Sequence, residues 1–256
     1  MDLQDIIYLI TFFFIYSFLG WILESITKTI AQKKFVNSGF LFGPFCPIYG
    51  VGALIMIIML NSYKGHYIAT FFISFIIFTL WEYFAGWLLE KIFHTKYWDY
   101  SYYKFHIKGR ICLVNSLTWG FLGVAFIELI YPITCFFISK ISVETINWVT
   151  LIIGIYMIMD FCLTSIRIKN INIKLTKLSE ITANIKEKLE ELKNIPAKAK
   201  NIETLRNVID ELKQTQIELK EILEKQTQRL RRAFPSMTSE KINEFLTKKS
   251  KKIDKK

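Results

Sequence analysis

The chain has 256 residues, 52% of them hydrophobic and 16% aromatic, yet its formal net charge is +11. One soluble globule cannot carry so oily a composition beside so much charge unless the two are segregated along the chain. Residues 1–163 hold 10 Lys and Arg against 9 Asp and Glu, whereas 164–256 hold 23 against 13, so the sequence reads as an oily first part and a basic second part, which excludes a soluble enzyme.

A helix that crosses a membrane needs about 20 mostly apolar residues, and windows at about 6–26, 41–60, 67–89, 111–131 and 147–166 approach this. The first follows the acidic stretch Met1-Asp2-Leu3-Gln4-Asp5 and has no small-residue cleavage site after it, so it reads as a retained helix rather than a signal peptide. Cys46, Cys112, Cys135 and Cys162 show neither metal-ligand nor disulfide-framework spacing and read as reduced thiols. The expectation is an all-α polytopic bundle of about five transmembrane helices over 1–166, with a basic tail over 167–256.

Basic residues alternate between the loops. Lys28, Lys33 and Lys34 follow the first window, Lys64 alone the second, Lys91, Lys96, Lys104, Lys108 and Arg110 the third, and Lys140 alone the fourth. The positive-inside rule then sets the N-terminus outside, the tail in the cytoplasm and the chain in the cell membrane.

The sequence also repeats itself. Phe18–Thr29 aligns with Phe84–Thr95 at seven identities in twelve positions, sharing Gly-Trp-x-Leu-Glu. After a loop four residues longer in the second copy, Gly39 and Gly50 fall opposite Gly109 and Gly120, and Tyr49 falls opposite Trp119. The reading is two tandem helix pairs running in the same sense, an arrangement found in transporters, plus one helix.

In the tail, Leu175, Leu178, Thr182, Ile185, Leu189 and Leu192, then Ile202, Leu205, Ile209, Leu212, Gln216, Leu219, Leu223, Gln226 and Leu230, keep heptad spacing on either side of Pro196. That spacing predicts an antiparallel helical hairpin or a kinked coiled coil. Arg229, Arg231 and Arg232 lead into Ala233-Phe234-Pro235, and a short helix is expected over about 238–248 before a Lys-rich tip.

Candidate functional residues are the polar ones in oily surroundings. Glu82 sits well inside the third window, where an ionisable group needs a reason and where protonation is expected unless Arg110 or another cation reaches it. Asp160, in the fifth window, is a candidate for the same cluster. Glu24 and Glu90 occupy matching places in the repeat, each four residues before a basic partner, Lys28 or His94. Gly39–Gly50, with two prolines and three glycines, predicts irregular backbone facing protein or a cavity. Its counterpart supplies Arg110, Asn115, Ser116 and Thr118, and with Tyr49 the two segments suggest a polar, cytoplasm-facing vestibule. Tyr97, Trp98, Tyr100, Tyr102 and Tyr103 around Asp99 read first as an interfacial aromatic belt.

Neither a phosphate-binding glycine loop, a zinc-protease pair, a serine-hydrolase elbow nor a dinucleotide fingerprint occurs, so no catalytic residue, cofactor or metal is assigned. The tail's charges alternate in sign around an apolar stripe, which suits a coiled-coil partner, a second copy or anionic lipid rather than nucleic acid.

At Gly39–Gly50, Trp81-Glu82-Tyr83, Gly86-Trp87, Trp98-Asp99-Tyr100-Ser101, Gly109–Ser116 and Trp119-Gly120 the chain resembles the type IV ABC-transporter membrane family, over about residues 5–165. The resemblance implies a permease-like transport component that relies on a separate ATPase subunit. The competing reading is a membrane-anchored scaffold or sensor that recruits cytoplasmic partners through its tail.

Overall fold

The computed structural model describes residues 2–93, 95–194 and 202–236. The expected Glu90–His94 pair, the Pro196 break, the helix near 238–248 and the Lys-rich tip fall outside them.

The oily part is helical. α1 (Leu3–Gln32) opens on Asp2, whose side chain accepts the Asp5 amide while the Asp5 carboxylate accepts the Asp2 amide, a reciprocal cap that satisfies two otherwise orphaned donors. α2 (Pro47–Leu60) starts with proline at its first position, where the missing N–H costs nothing, and ends in a 3-10 turn, Asn61–Tyr63. α3 spans Tyr67–Phe93. α4 (Leu113–Ala125) passes through a π turn, Phe126–Ile130, into α5 (Tyr131–Ile138). α6 runs from Val143 to Asn194 and α7 from Ile202 to Ala233.

Among the described residues four helical stretches are long and apolar enough to cross a membrane: Leu3–Gln32, Tyr67–Phe93, Leu113–Ile138 and the first part of α6. The second window corrects the expectation of five like spans. Only 14 of its residues form a helix, about 21 Å at 1.5 Å per residue, against about 30 Å of hydrocarbon. The rest, up to Cys46, is irregular and mostly buried: Leu41, Gly43, Phe45 and Cys46 are buried, as are Val36 and Ser38 before them, while Phe42 is exposed. This is the irregular backbone that the glycines and prolines of 39–50 predict. Elsewhere the spans turn apolar side chains outward, as at Ile68, Leu80 and Phe121, which fits lipid as their solvent.

The α3–α4 connection is held by a miniature hairpin, β1 (His106–Ile107) against β2 (Ile111–Cys112). Lys108 and Gly109, its two turn residues, both have positive φ, at 51° and 67°, and the Arg110 amide donates back to the Ile107 carbonyl at 3.0 Å, as a two-residue hairpin turn requires. Gly39, which the sequence aligns with Gly109, also has positive φ, at 89°.

By internal contacts the described residues form two units, those up to 164 together with 231–236, and those between 165 and 230. In the second, Lys174 Nζ donates to Gln226 Oε1 at 3.0 Å and Gln216 Nε2 to Thr182 Oγ1 at 2.7 Å. As the partner number rises from 174 to 182 the other falls from 226 to 216, so the helices run antiparallel. Ile168, Ile171, Leu175, Leu178, Ile181 and Ile185 are buried on one helix, and Ile209, Leu223, Thr227 and Leu230 on the other. The stripe passes through Thr227 where the heptad reading had Gln226, which is exposed.

Candidate functional site

Glu82 lies on α3 and is 6% exposed. Its carboxylate accepts four contacts from three side chains. The Tyr100 hydroxyl donates to Oε1 at 3.0 Å, Asn115 Nδ2 lies 2.7 Å from each oxygen, and Trp119 Nε1 donates to Oε2 at 3.1 Å. Asn115 and Trp119 stand four residues apart on α4 and so share a face. Every partner can donate, which matches the acceptor-only character of a carboxylate. Ser116, the next residue along, is buried.

Arg110 does not reach Glu82. Its Nε and Nη2 donate to Glu90 Oε2 at 3.0 and 2.8 Å, and Nη1 donates to the Tyr83 hydroxyl at 3.2 Å. The guanidinium also lies over the Tyr83 ring, 5.3 Å from its centroid. The hairpin turn places Arg110 beside the last turns of α3, which puts Glu90 rather than Glu82 in its reach.

The second carboxylate, Glu24 on α1, accepts the Tyr49 hydroxyl at 3.0 Å on Oε1, and Lys28 Nζ at 2.6 Å with Ser38 Oγ at 2.7 Å on Oε2. Lys28 Nζ also donates to Ser38 Oγ at 2.8 Å. The irregular segment before α2 supplies Ser38, and α2 supplies Tyr49. The two carboxylates approach through their aromatic partners, for the Tyr49 and Trp119 rings are 6.2 Å apart and Trp81 Nε1 of α3 reaches the Ile48 carbonyl of α2 at 3.4 Å. Glu24–Tyr49–Trp119–Glu82 is thus one run of polar and aromatic groups across the junction of α1/α2 with α3/α4.

This geometry alters the equivalence suggested by the repeat. Tyr49 binds Glu24, but its counterpart Trp119 binds Glu82 and not Glu90. The eight residues from Glu82 to Glu90 correspond to roughly 12 Å along a helix, so α4 meets α3 about two turns nearer its N-terminal end than α2 meets α1. Glu90 is left to Arg110, whose aligned residue in the first copy is Phe40.

Asp160 does not join Glu82 either. Its Oδ1 and Oδ2 accept the backbone amides of Phe42 and Gly43 at 3.2 and 2.7 Å, and Thr164 Oγ1 donates to Oδ1 at 3.2 Å. A side chain on Gly43 would run into the Tyr156 hydroxyl and Asp160 Oδ2, so glycine is what lets the backbone reach the carboxylate. Asp160 therefore serves the irregular segment by accepting donors that no helix satisfies.

Sequence reasoning missed Tyr100 and Trp119 as ligands of Glu82, Ser38 as a ligand of Glu24, and Tyr83 beside Arg110. Tyr100 was read as belt. Outside the spans, burial first, then the charge of Glu82 and the hydrogen bond to it, hold the Tyr100 phenol well above its ordinary range, so it stays a donor. Its loop is fixed by Asp99, which accepts Lys96 Nζ at 3.1 Å and the Ser101 amide and hydroxyl at 3.0 and 2.6 Å. Trp98 Nε1 closes the loop on the Arg110 carbonyl at 2.9 Å.

No curated protein and no solved structure matches the chain. The profile of one family, described as "Putative ABC-transporter type IV", matches residues 11–165. That range contains Glu24, Tyr49, Glu82, Arg110, Asn115, Trp119 and Asp160 and covers more than half of the chain, and with its apolar helices it makes this a membrane protein belonging to that transport-related family.

Proposed function

We propose that the chain is a permease-like transport component whose path runs past Glu24, Tyr49, Trp119 and Glu82, and that a separate ATPase subunit drives it. The observation that carries this reading is the junction itself. Two carboxylates from spanning helices, one of them almost wholly buried, are joined by aromatic donors where two helix pairs meet. Burying a carboxylate in a spanning helix is costly, and such residues as a rule face a protein interior or a cavity.

On this reading α2 completes a fifth crossing with the irregular, mostly buried segment 39–46, the N-terminus is outside, and the antiparallel tail helices lie in the cytoplasm. The alignment of the two helix pairs and the shared left-handed backbone at Gly39 and Gly109 support a duplicated pair with a slipped second copy. Asn115, Ser116 and the start of α2 line its cytoplasmic side, and Arg110 with Glu90 braces it.

The test is purification of the tagged full chain in mild detergent, with identification of what accompanies it. A nucleotide-binding subunit in stoichiometric amount is the expected result. Recovery of soluble coiled-coil proteins alone would replace the proposal with the scaffold reading.

A further inference from the structure

The Arg-Ala-Phe-Pro element after the tail helices has no role in the path described so far. α7 stops at Ala233, two residues before Pro235, as the restriction proline places on its predecessor favours. Residues 231–236 belong to the first unit and are seated there. Ala233 is fully buried, the Arg232 carbonyl accepts Gln32 Nε2 at 2.9 Å, and Ser236 Oγ accepts the Asp99 amide at 3.3 Å.

Phe234 is the centre of the contact. Its ring meets Tyr97 edge to face at 4.9 Å between centroids, and Lys28 Nζ lies 5.1 Å over its face. This is the same Lys28 ammonium that donates to Glu24 and Ser38. The ring therefore covers one face of the Lys28–Glu24 ion pair near the C-terminal end of α1, a pair whose side chains keep 23% and 25% exposure with the ring in place.

We propose that residues 231–236 are a plug over the loop-end approach to Glu24, with Phe234 as its stopper. The inference rests on the path reading above. Ring contacts to Tyr97 and Lys28 and hydrogen bonds to Gln32 and Asp99 seat the plug on the first unit. It begins in the last turn of α7, so whatever moves the end of that helix moves the plug.

The test uses the full chain with its four cysteines replaced by alanine and Ser38→Cys as reporter, since Ser38 is fully buried beside Lys28. Labelling by a small charged maleimide is timed in mild detergent. With the plug intact, labelling is slow. Phe234→Ala raises the rate at least tenfold, and Phe234→Leu, which keeps apolar bulk but offers no ring, at least threefold. Phe234→Tyr, which keeps the ring, labels as the unsubstituted reporter does. Equal rates in all four chains overturn the plug, even if Glu24→Gln abolishes the ATP turnover of the complex. Faster labelling with turnover indifferent to Glu24→Gln leaves the plug standing and removes the path reading.

Discussion

Substitution of Glu82 separates a carboxylate held by a closed set of donors from one that water could serve. Glutamine keeps the shape but has only one acceptor oxygen. With that oxygen in the place of Oε2 it keeps Trp119 and Asn115, and its amide faces the Tyr100 hydroxyl, which can turn and accept. Three bonds to a charged group then become bonds to a neutral one, at about 1 kcal/mol each from the difference between roughly 1.5–3 and roughly 1 kcal/mol. With partial recovery by Tyr100, Glu82→Gln is expected to cost about 2 kcal/mol. Leucine leaves three part-buried donors without an acceptor at roughly 1–3 kcal/mol each, about 5 kcal/mol in all. Adding Asn115→Asp to Glu82→Gln gives the new amide an acceptor and should return all but about 1 kcal/mol. The assay is the thermal midpoint of detergent-purified protein by tryptophan fluorescence, with about 2–4 °C per kcal/mol for a chain of this size. Midpoints for the Gln and Leu variants within a degree of the unsubstituted protein would refute the closed donor set.

Asp160→Asn should lower the same midpoint by about 4–8 °C, because an amide can accept only one of the Phe42 and Gly43 N–H groups and directs its own N–H at the other, a loss of about 2 kcal/mol; an unchanged midpoint would mean that the irregular segment is held by other contacts. Although burial raises it, the bonds from Ser101 and Lys96 leave the Asp99 carboxyl below its ordinary value. A group lowered in the folded state stabilises above its unfolded pKa of about 3.9 and ceases to do so as pH falls through the lower folded value. The advantage of the unsubstituted chain over Asp99→Asn should therefore fade below about pH 4, and it should stay under about 1 kcal/mol because the side chain is a quarter exposed; an advantage that grows in acid would reverse the sign. Reporters fused after Lys104 and after Lys64 should report cytoplasm and exterior respectively, and the opposite pattern would reject the N-out arrangement.

The oily spans, the antiparallel tail helices and the irregular start of α2 were legible because each is written in local pattern: apolar length, heptad spacing, and clustered glycine with proline. Partners were not. Asp160 is 117 residues from Gly43, and no local signal distinguishes a carboxylate that holds backbone amides from one that joins a cluster. Charge alone leaves open whether Arg110 reaches Glu82, and the hairpin turn at Lys108–Gly109 decides its reach. One signal was available and unused. Trp119 already stood opposite Tyr49 in the repeat, so an aromatic donor serving a carboxylate in one copy could have been sought in the other, though the two-turn slip that sends Trp119 to Glu82 is set by packing between helices.

The most direct measurement of the central claim is ATP turnover by the complex purified in mild detergent through the tagged full chain. The account predicts that a nucleotide-binding subunit accompanies both the unsubstituted chain and Glu82→Gln, and that turnover with Glu82→Gln falls at least tenfold. A complex that retains that subunit and hydrolyses ATP at the unsubstituted rate would contradict the claim that the transport path runs past Glu82.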